Sequence, residues 1–117
     1  MDCPMYKVGL LLLAAGSASR MGEEKLMMRF GGKTPIAHCA AAFAACKTQF
    51  ASIAVTASSA TMAEAKTAFP GAQVIAGGES RSASVRFGLE ALQNVDIVVI
   101  HDADEMLSPL LRRRKQP

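Results

Sequence analysis

Two cations that follow a run of small residues, and one carboxylate at the end of an apolar run, are the side chains best placed for chemistry. Arg20 and Lys25 come directly after Leu13-Ala14-Ala15-Gly16-Ser17-Ala18-Ser19. Small side chains let backbone approach a ligand closely. Successive backbone N–H groups in such a turn make an anion-binding concavity. Arg20 adds a planar fork of donors suited to phosphate oxygens, and Lys25 adds a compact mobile charge. Two cations beside a nest of amides suit a polyphosphate. Asp102 closes Val98-Val99-Ile100-His101-Asp102. A carboxylate there suits Mg2+, which prefers carboxylate and phosphate oxygens and keeps several waters. Each feature also has a plain structural reading. The first is then a tight strand-to-helix connection with exposed charges, and Asp102 a turn or cap residue.

Two other phosphate-binding patterns are excluded. A GxGxxG fingerprint fails because the next glycine after Gly16 is Gly22. Gly32-Lys33-Thr34 resembles the end of a P-loop, but the glycine required five positions earlier is Met27. Gly31-Gly32 reads as a turn before a helix.

The elements that must position these residues follow from patterning. Residues 8–13 form a continuous apolar run, as expected of a strand buried on both faces of a parallel sheet. Residues 14–22 are small and polar and read as a loop. Thr34-Pro35 reads as an N-cap with Pro at the first helical position, opening a helix to about Cys46. Residues 53–57 are a second strand. Thr61-Met62-Ala63-Glu64 has capping-box spacing, and its helix stops near Phe69 before Pro70-Gly71. Residues 73–76 are a third strand and Gly77-Gly78 a turn. A third helix starts near Ser82, with Val85, Leu89 and Leu92 on one face. Gly88 within it costs about 1 kcal/mol against Ala, which implies close packing on the sheet. Residues 96–100 are a fourth, buried strand.

Strands alternating with helices imply an α/β fold: a three-layer α/β/α arrangement around a mostly parallel, Rossmann-like sheet. Ligands of such sheets bind beyond the carboxyl ends of the strands. Three polar segments lie there: residues 14–25, 77–84 and 101–105. The functional reading rests on their convergence.

Bulk properties set limits. The 117 residues, half of them apolar, fit one domain. The net charge of +3 resides in the four-residue run Arg112-Arg113-Arg114-Lys115, without which the rest carries −1. That run reads as a solvated helix end, and neither nucleic acid nor membrane is expected as a partner. Three cysteines without a CxxC pair argue against a disulfide framework or a zinc site. Cys39 and Cys46 read as small core residues on one helix face. The apolar run after Lys7 is short for a signal peptide, and no stretch approaches transmembrane length, so a cytoplasmic location is expected.

Leu13-Ala14-Ala15-Gly16, then Arg20-Met21-Gly22, then Lys25, resembles the signature of nucleoside-triphosphate transferases that make nucleotide-linked sugars, alcohols and cofactors. Ala18 stands where glycine is commoner in that signature. The first segment is shared by two branches, the 2-C-methyl-D-erythritol 4-phosphate cytidylyltransferases and the molybdenum-cofactor nucleotidyltransferases. Gly77-Gly78-Glu79-Ser80-Arg81-Ser82-Ala83-Ser84-Val85, followed by Gly88-Leu89, is similar to the former branch, as is His101-Asp102-Ala103. The resemblance implies a cytidylyl transfer from CTP to a small phosphorylated polyol. Ala14, Ala15, Gly16, Ser17 and Ala18 would line the phosphates, with Arg20 and Lys25 as catalytic cations. Gly78, Glu79 and Ser84 would read base and sugar, Arg81 would organise the loop, and Asp102 would hold Mg2+.

The likeness runs from about Val8 to Ala103. After it, Asp104-Glu105-Met106 stands where the branch has Ala-Arg-Pro, replacing a cation by carboxylates. Members of the branch are about twice as long. The sequence is therefore expected to be the nucleotide-binding half, an incomplete single domain of residues 1–117, without the acceptor half or the arm that joins the family's homodimer. A truncated CTP-binding domain without turnover of its own is the non-enzyme alternative.

Overall fold

The computed structural model describes residues 6–15, 26–45 and 49–106. The expectations for Cys3, Gly16, Ser17, Ala18, Arg20, Lys25, Cys46 and the basic run at 112–115 concern residues outside this set. Within it the chain runs through β1 (Val8–Ala14), α1 (Pro35–Ala44), β2 (Ser52–Ala57), α2 (Met62–Ala68), β3 (Gln73–Ala76), α3 (Arg81–Ala91) and β4 (Ile97–Asp102). A 3-10 turn, Ala103–Met106, follows.

The strands lie in the order β3-β2-β1-β4. All three pairings are parallel. β1 is central and buried on both faces, which is why its sequence is a continuous apolar run rather than an alternating one. Leu10, Leu12 and Ala14 pack with Ile36 and Cys39 of α1 and Ala65 of α2. Leu11 and Leu13 pack on the opposite side with Ala54 and Leu92, flanked by Val85 and Val98. Leu10, Leu11 and Leu12 are wholly buried, each contributing about 1.5–3 kcal/mol of transfer free energy. The result is the expected α/β/α stack, with α1 and α2 on one face and α3 on the other.

α1 begins as its residues dictate. The Thr34 hydroxyl accepts from the Ala37 amide at 3.1 Å, and Pro35 occupies the first helical position. The helix ends at Ala44, two residues short of the expected Cys46. Cys39 is buried, and its thiol is pushed up to about 12 by burial, with the charge of Glu105 adding to the shift. A neutral thiol in a core fits the packing role read for it.

Three expectations are corrected. The Thr61–Glu64 capping box does not form. The Thr61 hydroxyl donates instead to the Ala14 carbonyl at 2.7 Å and accepts from the Ser58 amide at 2.9 Å. Glu64 accepts from the Thr34 hydroxyl at 2.6 Å, joining α2 to the cap of α1. Partners from distant segments have outcompeted the local pattern. Leu89 does not share the buried face of α3 and stands 41% exposed. The helix approaches the sheet through Ser84 and Gly88, its two buried residues. Finally, β4 is not buried. It pairs with β1 alone among the described strands. Ile97, Val99 and Ile100 are 39–46% exposed.

Gly88 shows how α3 crosses the sheet. A Cβ at that position would overlap Cδ1, Cδ2 and Cγ of the buried Leu11. Gly88→Ala would gain about 1 kcal/mol of helix propensity against an overpacking cost of about 1–3 kcal/mol. We expect a net loss of up to about 2 kcal/mol, read as a lower urea midpoint with an unchanged slope. Unchanged or raised stability would show that α3 does not sit this close to β1.

Candidate functional site

The β3-β2-β1-β4 order reverses direction between β1 and β4. α1 and α2 carry the chain outward along one edge, and α3 carries it back across the sheet to the other side of β1. Right-handed crossovers then place α3 on the opposite face. A crevice opens at such a reversal, beyond the carboxyl ends of the strands. Here those ends are in register: Leu13 lies beside Asp102, Ala14 beside Ala57, and Ala57 beside Ala76. The turns that leave the strands therefore start from one rim.

The first and second segments touch. The Gly77 amide donates to the Ala57 carbonyl at 3.0 Å, continuing the sheet one step past β3. A Cβ on Gly77 would lie 2.5 Å from the Ala15 Cβ and 2.9 Å from the Ser84 oxygen. Glycine is needed here because the turn presses against the start of the loop after β1. Gly78 is held by its amide, which donates to the Ser84 hydroxyl at 2.9 Å. Ser84 is 4% exposed, so its oxygen serves as an internal anchor for the turn. The N-cap of α3 is Ser80, which accepts from the Ala83 amide at 3.1 Å. Glu79 lies exposed on the same turn.

The second and third segments are joined by an ion pair. Arg81, the first residue of α3, donates from Nε to Asp102 Oδ1 at 3.3 Å and from Nη2 to Oδ2 at 3.0 Å. Asp102 keeps 25% of its side chain exposed and Arg81 keeps 63%. This forked contact was not legible in the sequence, because 21 residues separate the partners and only the fold brings them together. His101 points to the other face. Its ring stands edge-on to Phe43, with centroids 5.4 Å apart, and its Nδ1 lies 3.6 Å from Glu105. Glu105 is thus turned towards His101, not towards Asp102. Among the described residues no group of three or more His, Cys, Asp or Glu is arranged to hold a metal ion. Asp102 offers a single carboxylate, which suits an ion that takes its remaining ligands from phosphates and water.

The start of the first loop has its own support. Thr61, wholly buried, ties the Ala14 carbonyl to the Ser58 turn. It is a positioning residue that the sequence pattern assigned to a helix cap. Of the expected site residues, Ala14, Ala15, Gly78, Glu79, Arg81, Ser84 and Asp102 gather at the carboxyl rim. Gly16, Ser17, Ala18, Arg20 and Lys25 lie outside the described residues.

A sequence profile described as "IspD: 2-C-methyl-D-erythritol 4-phosphate cytidylyltransferase" matches residues 8–113. A 2-C-methyl-D-erythritol 4-phosphate cytidylyltransferase of Dehalococcoides mccartyi is 37% identical over 112 residues, covering 89% of this chain and 49% of that protein. A bifunctional IspD/IspF enzyme of Anaeromyxobacter sp. is 34% identical, over 83% of this chain and 26% of its own length. The chain thus spans half or less of these relatives. Among solved structures, a 4-diphosphocytidyl-2C-methyl-D-erythritol synthase superposes with a TM-score of 0.67 at 23% identity, over 88% of this chain and 48% of its own. The bifunctional IspDF of Campylobacter jejuni gives 0.66 at 24%, over 92% and 29%. These two likenesses establish the fold.

Removing the Thr61 hydroxyl tests the support of the first loop. In Thr61→Val the buried Ala14 carbonyl and the Ser58 amide lose their partner, which costs about 1–3 kcal/mol. We expect that loss in urea denaturation. A neutral substitution would show that the hydroxyl does not hold the end of β1.

Proposed function

The chain belongs to the 2-C-methyl-D-erythritol 4-phosphate cytidylyltransferase family, and from that premise we propose that it binds CTP at the carboxyl rim and provides the nucleotide side of a cytidylyl transfer. The phosphate of 2-C-methyl-D-erythritol 4-phosphate attacks the α-phosphorus of CTP, pyrophosphate leaves, and a cytidine-diphosphate-linked alcohol forms. The observation that carries this reading is the meeting of the three polar turns: Ala15 against Gly77, and Arg81 against Asp102. The family match also favours this branch over the molybdenum-cofactor one, with which the first segment alone was compatible.

In this reading the backbone from Ala14 to Ala18 cradles the phosphates. Arg20 and Lys25 are the catalytic cations that stabilise charge on the transferring and leaving phosphates, as preorganised clamps do. Transfers of this kind depend on positioning and charge stabilisation rather than on a covalent intermediate. Gly78 and Glu79 read base and sugar, and Ser84 contributes by holding the turn at Gly78. Asp102 would hold Mg2+, which when bound would supply charge neutralisation to the phosphates. The setting is the cytoplasm, and the partners are CTP and a phosphorylated polyol, with homodimer formation as in the family. Residues 1–117 act as one nucleotide-binding unit.

Calorimetric titration of CTP with Mg2+ tests the proposal. Wild type should bind, with CTP preferred to GTP. Arg20→Ala should lose about 1–3 kcal/mol of affinity, the range for a charge-assisted hydrogen bond. Unchanged affinity removes Arg20 from the phosphate site, and a preference for GTP contradicts the cytidine assignment.

A further inference from the structure

The turn after β3 has little of its own to hold it in place. Gly77 and Gly78 bring no side chains, and glycine has the most conformational freedom to lose. Two hydrogen bonds restrain the pair, from the Gly77 amide to the Ala57 carbonyl and from the Gly78 amide to the Ser84 hydroxyl. The turn also rests against α3. The atoms nearest to a Cβ built on Gly78 belong to Ala83, which it would overlap, and to the Phe87 ring, whose Cε2 would lie 3.1 Å away. Ala83 and Phe87 are four residues apart and so share a face of the helix. Phe87 is 37% exposed, so most of this large apolar side chain is covered although it stands at the surface. The Arg86 guanidinium carbon lies over the ring, 5.6 Å from its centroid. The attraction of a cation to an aromatic face helps to fix the ring there.

We propose that Phe87 is a positioning residue for the Gly77-Gly78 turn, its ring forming a floor that keeps the turn where base and sugar are read. The inference rests on the nucleotide reading above, which gives Gly78 and Glu79 that task, and it adds the side chain that acts through them. Without the ring the turn keeps its two hydrogen bonds but gains space on the side of α3. It then samples positions from which Gly78 and Glu79 miss the nucleoside. A ligand that needs one arrangement of a turn binds in proportion to the fraction of chains that hold it. The phosphates are assigned to the backbone after β1 and to Arg20 and Lys25, outside the turn that the ring supports. Loss of the ring is therefore felt by the base and sugar, not by the polyphosphate.

Calorimetric titrations of the full chain with CTP and with inorganic tripolyphosphate, each with Mg2+, test the proposal. Phe87→Ala should bind CTP about three- to tenfold more weakly than wild type, since part of the freedom of about one turn residue is returned. It should bind tripolyphosphate as wild type does. Phe87→Tyr keeps the ring and should restore CTP affinity, with Phe87→Leu between the two. Circular dichroism checks the fold, and Phe87→Leu carries the comparison if Phe87→Ala does not fold. A merely structural role would weaken both ligands alike, which overturns the proposal, as does undiminished CTP binding in Phe87→Ala. Amide hydrogen exchange without any ligand separates this proposal from the nucleotide reading. The Gly78 amide should exchange several-fold faster in Phe87→Ala, with Leu12 in β1 unchanged. Absence of CTP binding by wild type defeats the nucleotide reading, while faster Gly78 exchange still upholds the ring as the support of the turn. Unchanged Gly78 exchange defeats the proposal even where wild type binds CTP.

Discussion

The reversal of strand order around β1 is the constraint from which the rest follows. Because β2 and β4 flank β1 and run parallel to it, β1 must be apolar on both faces and helices must cover both. The return from β3 to β4 has to cross the sheet, which brings α3 down onto Leu11 and demands Gly88. The same reversal sets the carboxyl ends of the strands on one rim. The three polar turns are brought there by parallel register alone, with Leu13 beside Asp102 and Ala14 beside Ala57.

The packing then supports the chemistry in layers. Thr61 fixes the last carbonyl of β1, and Ser84 fixes the Gly78 amide. Arg81 fixes Asp102 in the described structure. Each acts on a backbone or side-chain group at the carboxyl rim. The polar groups of the rim are in this way preorganised by the protein's own hydrogen bonds.

Much of this was legible in the chain. The unbroken apolar run of β1, the Thr34-Pro35 start of α1, the alternation of elements and the strand-end position of Asp102 are local patterns, and the structure reproduces them. Misreadings occurred where a local pattern had a distant competitor. Thr61 and Glu64 carry capping-box spacing, but a buried carbonyl of β1 and the Thr34 hydroxyl claimed them. Leu89 looked like part of a core stripe, yet close approach through Gly88 rotates the helix so that small residues face the sheet. The Val98-Val99-Ile100 run looked like a buried strand, and in the described residues it is an edge. The Arg81–Asp102 fork joins residues from two segments, so no single-segment pattern could show it.

The central claim is that the turns after β1, β3 and β4 form one polyphosphate-binding rim. Amide chemical-shift mapping of the labelled chain during titration with CTP and Mg2+ tests it most directly. The account predicts concerted shifts at Ala14 and Ala15, at Gly77 and Gly78, and at Asp102 and Ala103, all saturating with one dissociation constant. Shifts missing from any one of these turns, or centred instead on Gly71 and Ala72 at the amino ends of the strands, would contradict it.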